Sequence, residues 1–250
     1  MTKKDKTIIV LGPPRSGTSL ISSMLGILGV DMGRVSPSVK SNPKGDWEDL
    51  DFMALNKKII DRANQKYKGK GIPLKQDILD LKPVFENKIK NLVVKKSENK
   101  KYWGWKDPHT TLTIDLFLPY INHPYVIIVS RNIYDTAKSY QKLLGEKKFT
   151  ESLKYIKSYE KRALDFADRN RHIPTHFVSF AQLISDPNKE TEKMAKFINI
   201  EYSLRKRKRV LDFVIPREKI EFEKKISKIK RKILVHMPRM IKNKILNFFK

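Results

Sequence analysis

A chain of 250 residues, 40% of them hydrophobic, suits one large domain with a real core, or such a domain with an appendage. It contains no cysteine, which excludes a disulfide scaffold and a thiolate metal site, and its five histidines show no metal-ligand spacing, so no metal is expected. The formal net charge of +26 points to anionic partners or to a lysine-rich composition at large; it is uneven, residues 203–250 holding 17 Lys/Arg against 4 Asp/Glu, half of the total excess.

The run Thr7 to Leu11 reads as a first strand. Lys3, Lys4 and Lys6 precede it in the manner of a signal peptide, but Pro13-Pro14-Arg15 interrupts the apolar run after five residues. No stretch of about 18 apolar residues exists, so a soluble or peripheral, cytoplasmic protein is expected. A helix over about 17–29 puts Leu20, Ile21, Met24, Leu25 and Leu28 on one face, with Gly29 as its stop. Residues 30–46, with Pro37, Pro43 and Gly45, read as a loop. A helix over about 47–67 turns Leu55 and Ile59 inward, then Gly69, Gly71 and Pro73 break the chain before a helix over 83–96. Tyr102-Trp103-Gly104-Trp105 reads as a short strand entering Lys106-Asp107-Pro108-His109, with a helix near 110–117. The clearest strand is Tyr125 to Val129, continuous and β-branched, as suits a parallel strand buried on both faces. Helices over about 132–144 and 149–170, a strand from Thr175 to Ser179 and a helix over 187–199 complete the pattern. Strands alternating with helices predict an α/β fold: an open, mostly parallel β-sheet with helices on both faces, over residues 1–215. From about 216 the chain turns lysine-rich, with Ile226, Ile229, Ile233 and Met237 in helical register, and 216–250 reads as a basic amphipathic helical extension.

Between the first strand and the first helix stands Gly-Pro-Pro-Arg-Ser-Gly-Thr-Ser, residues 12–19. Strand, glycine-bounded loop and helix is the layout that cradles a phosphate on backbone N–H groups at a helix N-terminus. The spacing fits G-x-x-x-x-G-K-[ST], except that Thr18 stands where the lysine belongs and Arg15 sits inside the loop. A clamp for the β- and γ-phosphates of ATP is therefore not expected. The loop suits a 5′-phosphate outside a triphosphate, with Pro14, Arg15, Ser16, Gly17, Thr18 and Ser19 as candidate binding residues. Gly17 admits the anion to the backbone, and the Thr18 and Ser19 hydroxyls act with the helix amides.

This variant resembles the 5′-phosphosulfate loop of sulfotransferases, which use 3′-phosphoadenosine 5′-phosphosulfate (PAPS) as sulfuryl donor. Other segments resemble the same family in the same order. Arg131 to Ser139 is similar to its 3′-phosphate motif R-x-x-x-D-x-x-x-S, with Ile133 where the family often has proline. Arg131 leaves the strongest strand at its carboxyl end, and an arginine fork suits a phosphate dianion. Lys106-Asp107-Pro108 is similar to a Lys-Asp-Pro of the tyrosylprotein and bacterial types. That implies the Lys106 ammonium on the phosphosulfate, with Asp107 structural, orienting Lys106 or capping a helix. Gly45-Asp46-Trp47-Glu48 resembles a Gly-x-Trp/Phe-Glu segment of bacterial members, which implies Glu48 as general base, with Asp51 and His109 in reserve. As plain sequence, Asp46, Glu48, Asp49 and Asp51 also suit a helix N-terminus, whose dipole lowers a carboxylate pKa while the like charges raise it. Phe177 to Leu183, then Asp186-Pro187, resembles the family's late strand and Tyr-Glu-Asp-Leu segment without its two acids, and supports fold placement only.

The resemblance spans about residues 7 to 200. It implies a P-loop nucleoside-triphosphate-hydrolase-like sulfotransferase fold and a PAPS-dependent enzyme of the bacterial-type branch. Such an enzyme moves a sulfuryl group by in-line displacement, without a metal, onto a hydroxyl or amine of an acceptor, carbohydrate or glycolipid by family habit. Glu48, Lys106 and Arg15 are the implied catalytic residues; Arg131 and Ser139 join the loop in holding the donor. A P-loop-type small-molecule kinase and a non-catalytic binder of anionic membranes or glycans are the alternatives. Residues 224–250 read either as an interfacial helix on an anionic membrane or as a terminal helix packed on the domain. No nucleic-acid module is present, so no nucleic acid is expected. Trp47, Trp103, Trp105 and Tyr102 either line an acceptor site or belong to the core.

Overall fold

Four strands, β1 (Lys6–Leu11), β2 (Tyr102–Lys106), β3 (Pro124–Ser130) and β4 (Thr175–Ser179), pair in parallel in the order β2-β1-β3-β4. The computed structural model describes residues 5–35, 45–65, 71–145 and 148–214. The expected extension 216–250, its membrane-contact segment, Pro37, Pro43 and Gly69 lie outside the described residues. Ten α-helices are described: α1 (Thr18–Leu28), α2 (Leu50–Ala63), α3 (Lys75–Leu79), α4 (Lys82–Ser97), α5 (Thr110–Phe117), α6 (Ile133–Leu144), α7 (Phe149–Arg169), α8 (Phe180–Ser185), α9 (Pro187–Ile198) and α10 (Leu204–Phe213).

Successive side chains of a strand point to opposite faces, and β1 shows the consequence. Ile8 and Val10 pack with Met24, Leu25, Met194 and Val210 of α1, α9 and α10 on one side. Ile9 and Leu11 pack with Phe52, Ile59, Ile89 and Trp105 on the other, under α2, α4, α5 and α7. A strand covered on both faces has no polar side, hence the unbroken apolar runs of β1 and β3. Trp103 and Trp105 are core residues: the Phe52 ring stacks on Trp105 at 4.0 Å, 3° from parallel. They are therefore closed to an acceptor. Tyr102 lies at the edge of the opposite core, its hydroxyl donating to the Asn199 carbonyl.

The expected helices are present with shifted ends. The helix expected from 47 starts at Leu50, because the buried Asp49 side chain caps it by accepting from the Asp51 and Phe52 amides. Helices α3, α8 and α10 were not expected from the sequence. The first two have five and six residues, too few to show a 3.6-residue period. In α10 a run of five Arg/Lys precedes the helix's one buried residue, Val210. Among the described residues no helix is long and apolar enough to cross a membrane.

Candidate active site

Because all four strands run the same way, their carboxyl ends share one edge, where open α/β sheets bind ligands. Leu11 leads there into the loop 12–19, Lys106 ends β2, Arg131 follows β3, and Phe180 follows β4.

The loop enters α1 through Gly17, which caps the helix at φ +105°. A Cβ at this position would lie 2.3 Å from the Phe180 ring, so a side chain is excluded by both backbone and neighbour. No side chain caps α1 and no acid stands in its first turn, which leaves its positive N-terminal end open to an anion. Arg15 adopts the left-handed conformation, φ +69°, an uncommon state for a side chain of this kind. Its carbonyl accepts from Arg131 Nη1 at 3.2 Å and its Nε donates to Ser139 Oγ at 3.3 Å. The Arg131 guanidinium also lies 4.7 Å over the Phe180 ring. Arg15 thus meets Arg131 and Ser139, more than a hundred residues further along the chain, beside Gly17. An open depression of about 420 Å³ adjoins them, lined by Ser130, Arg131, Asn132, Ser179 and Phe180 among others.

Within the loop, Pro14 is half-buried and Thr18 buried. The buried Ser16 hydroxyl donates to the Pro13 carbonyl at 2.7 Å, so its proton shapes the loop itself. Ser19, half-buried, faces the second cluster. Lys106 Nζ donates to Ser19 Oγ at 3.2 Å and to Glu48 Oε1 at 2.8 Å. The Lys106 side chain is 1% exposed, that of Glu48 20%. Burial pushes the Glu48 carboxyl above its ordinary value; the Lys106 charge opposes this, and the Asp107 and Asp46 charges add to it. The sign that sequence alone left open is therefore upward, and burial rather than the helix end decides it.

Asp107 turns away from Lys106 to cap the following turn. Its Oδ1 accepts from the His109 amide and its Oδ2 from Asn56 Nδ2 at 2.7 Å. Asn56 also donates to Thr110 Oγ1 and accepts from Thr113 Oγ1, while Thr110 accepts from the Trp105 indole. Thr111 grips the loop's first residue, accepting from the Gly12 amide and donating to its carbonyl. This bonded buried network joins α2, β2, α5 and the loop. Sequence reading missed Asn56, Thr110 and Thr111. The available signal was a polar Asn56 on the inward stripe of Phe52, Leu55 and Ile59, and a threonine pair just after Pro108.

The two reserve bases are engaged elsewhere. His109 Nδ1 lies 2.7 Å from the Tyr159 hydroxyl, which burial pushes well above its usual range and which also meets Tyr155 at 3.0 Å. Asp51 binds Lys96 at 2.8 Å and Arg34 at 2.9 Å; the Lys96 bond above all holds its carboxyl below the usual range. Lys96 is also bonded at 2.5 Å to Asp49, whose amide donates to the Lys106 carbonyl. This buried pair therefore ties the segment carrying Glu48 to the end of β2. Removing one partner of a buried pair strands the other charge. Lys96→Met is expected to cost about 3 kcal/mol, near the low end for such losses because Asp49 keeps three backbone donors. In thermal unfolding that is a Tm decrease of roughly 10 °C; a shift under about 2 °C would show that the pair holds nothing.

A sulfotransferase family model matches residues 7–203. No curated protein matches the chain significantly in sequence. Among solved structures, the sulfotransferase domain from the curacin biosynthetic pathway superposes with a TM-score of 0.53 at 14% identity, covering 81% of this chain and 76% of that one. The sulfotransferase domain of the Synechococcus olefin synthase gives 0.51 at 15% identity, covering 80% and 75%. A sulfotransferase from Mycobacterium avium gives 0.53 at 17% identity, covering 84% and 67%. At such identities structural likeness shows the fold, while the family model extends over most of the sequence and over every residue of the site just described. The chain belongs to the sulfotransferase family.

Proposed function

We propose that this sulfotransferase takes its sulfuryl group from PAPS and delivers it to a hydroxyl or amine of a carbohydrate or glycolipid acceptor. The observation that carries the proposal is Lys106, a buried ammonium bonded at once to Ser19, in the first turn of α1, and to Glu48. That supports reading Lys106 as the cation that meets leaving-group charge, with a carboxylate of raised proton affinity beside it.

The residues present fit the donor. The uncapped amides of α1, with Thr18, Ser19 and Arg15, suit its 5′-phosphosulfate; Arg131 and Ser139 suit its 3′-phosphate. When bound, PAPS supplies a sulfur bonded to a good leaving group, the 5′-phosphate. Glu48 takes the proton of the acceptor O–H or N–H as the acceptor's heteroatom bonds to sulfur. Lys106, Arg15 and the loop amides hold the electron pair that stays on the bridging oxygen as the S–O bond breaks. Fixed donors aimed at developing charge commonly form the largest single catalytic contribution. Here positioning and charge neutralisation do most of the chemistry, as in phosphoryl transfer.

Calorimetry with 3′-phosphoadenosine 5′-phosphate, with ATP and AMP as controls, tests the donor. Tight binding that needs the 3′-phosphate is expected, and equal or stronger binding of ATP would overturn the assignment in favour of a kinase. In the same assay Arg131→Ala is expected to weaken binding roughly 10- to 100-fold, the range of a charged hydrogen bond, with turnover at saturating donor little changed. Unchanged affinity would remove Arg131 from the donor site.

A further inference from the structure

Helix α10 packs on α9 and α1 through the fully buried Val210. Its outer face is of another kind. Leu204 and Leu211 are 83% and 51% exposed. They stand four residues before and three after Lys208, so all three share one stripe, flanked by Arg205 and Arg209. Among the described residues Arg205, Lys208 and Arg209 form no ion pair. On the inner side, by contrast, Arg207 turns to Glu192 at 3.4 Å and Lys206 donates to the Glu201 carbonyl. Asp212, four residues after Lys208, is exposed on the same face, so the leucines stand among three cations and one acid, a net basic face with the pattern of an interfacial helix.

We propose that this face of α10 docks the protein on an anionic lipid membrane, with Leu204 and Leu211 entering the headgroup region and Arg205, Lys208 and Arg209 meeting lipid phosphates. Residues 215–250 carry 12 Lys/Arg against 3 Glu, a charge of the same sign as this face and with the same attraction to an anionic surface. A nucleic acid would satisfy the cations alone; a membrane satisfies the cations and the leucines. The docked helix is also placed next to the chemistry. Phe213, at its end, meets Trp47 edge-on with ring centroids 6.4 Å apart, and Trp47 precedes Glu48. Trp47 fits there because residue 26 is glycine, where a Cβ would stand 2.9 Å from the indole. Resting on the function proposed above, this puts a membrane-held acceptor on the Glu48 side of the sheet edge.

Co-sedimentation of the full chain with vesicles of phosphatidylcholine and phosphatidylglycerol, against phosphatidylcholine alone, tests the docking. Binding to the anionic vesicles only is expected. The triple variant Arg205→Gln, Lys208→Gln, Arg209→Gln should lower partitioning roughly 10- to 100-fold, and the double variant Leu204→Ser, Leu211→Ser roughly tenfold. Calorimetric binding of 3′-phosphoadenosine 5′-phosphate, measured on the same samples, should stay at the parent value. That readout separates a failed docking from a failed donor assignment. The proposal is overturned if the full chain ignores anionic vesicles, or if both variants bind like the parent, which would leave residues 215–250 as the attachment. It is equally overturned if only the triple variant loses binding, since a polyanion site without insertion behaves so.

Discussion

Lys106→Ala is expected to lower the turnover of sulfuryl transfer about 100- to 1000-fold, the effect of removing one fixed donor from a developing negative charge. The affinity for 3′-phosphoadenosine 5′-phosphate should change far less, because the substitution leaves intact the loop amides, Arg15 and Arg131, the groups proposed to hold its two phosphates. The substitution also carries a second signature. Lys106 is bonded to Glu48, and its charge and hydrogen bond restrain a carboxyl that burial already pushes up. Without Lys106, the Glu48 carboxyl rises further. A general base works in its ionised form, so activity falls as pH drops through its pKa. In the parent enzyme the acid limb of the turnover profile should therefore lie above the ordinary carboxylate range, and in Lys106→Ala it should move to still higher pH. Steady-state turnover across pH, with calorimetry of product binding, reads both effects. Near-normal turnover would remove Lys106 from the chemistry. A large loss with an unmoved acid limb would uncouple it from Glu48.

Much of this site was legible because its parts are local in sequence even where they are distant in function. The loop 12–19 announces itself by glycines at fixed offsets between an apolar run and an amphipathic helix, and the structure shows Gly17 under positive φ against Phe180, where the pattern requires a residue without a side chain. Arg131 was readable as a candidate from its place at the end of the strongest strand, and the structure brings it to Arg15. What remained closed to the sequence was pairing across the fold. Nothing local says that Arg15 reaches Ser139, or that Phe180 faces Gly17, because those contacts exist only once β3 lies beside β1 and β4 beside β3. The direction of the Glu48 pKa is of the same kind. The dipole and the neighbouring acids are sequence properties that pull in opposite directions, whereas the deciding quantity, burial beside Lys106, is tertiary. The tryptophans of β2 were ambiguous for a related reason: an aromatic strand looks alike whether it lines a pocket or a core, and only the stacked Phe52 distinguishes them. Asn56 and the Thr110–Thr111 pair were passed over because an isolated polar residue on an apolar stripe carries no sign of the partner that satisfies it.

The opposite behaviour is expected of Glu48→Gln: turnover and donor-site affinity should change in contrary directions. Glutamine keeps the shape and an acceptor oxygen toward Lys106 but cannot take the acceptor's proton, so turnover should fall about 100- to 10,000-fold, and the acid limb assigned to Glu48 should vanish. The same substitution leaves the Lys106 ammonium, 1% exposed, without its carboxylate. A buried cation deprived of its partner gains more from an incoming anion than one already paired. The affinity for 3′-phosphoadenosine 5′-phosphate should therefore rise several-fold as turnover collapses, a combination that general damage to the fold cannot produce. Preserved turnover would move the proton transfer to another group, with His109, three residues past Lys106 and held by Tyr159, the first to test. Lost turnover with weakened product binding would instead make Glu48 a support of the loop, and the pairing with Lys106 a structural contact.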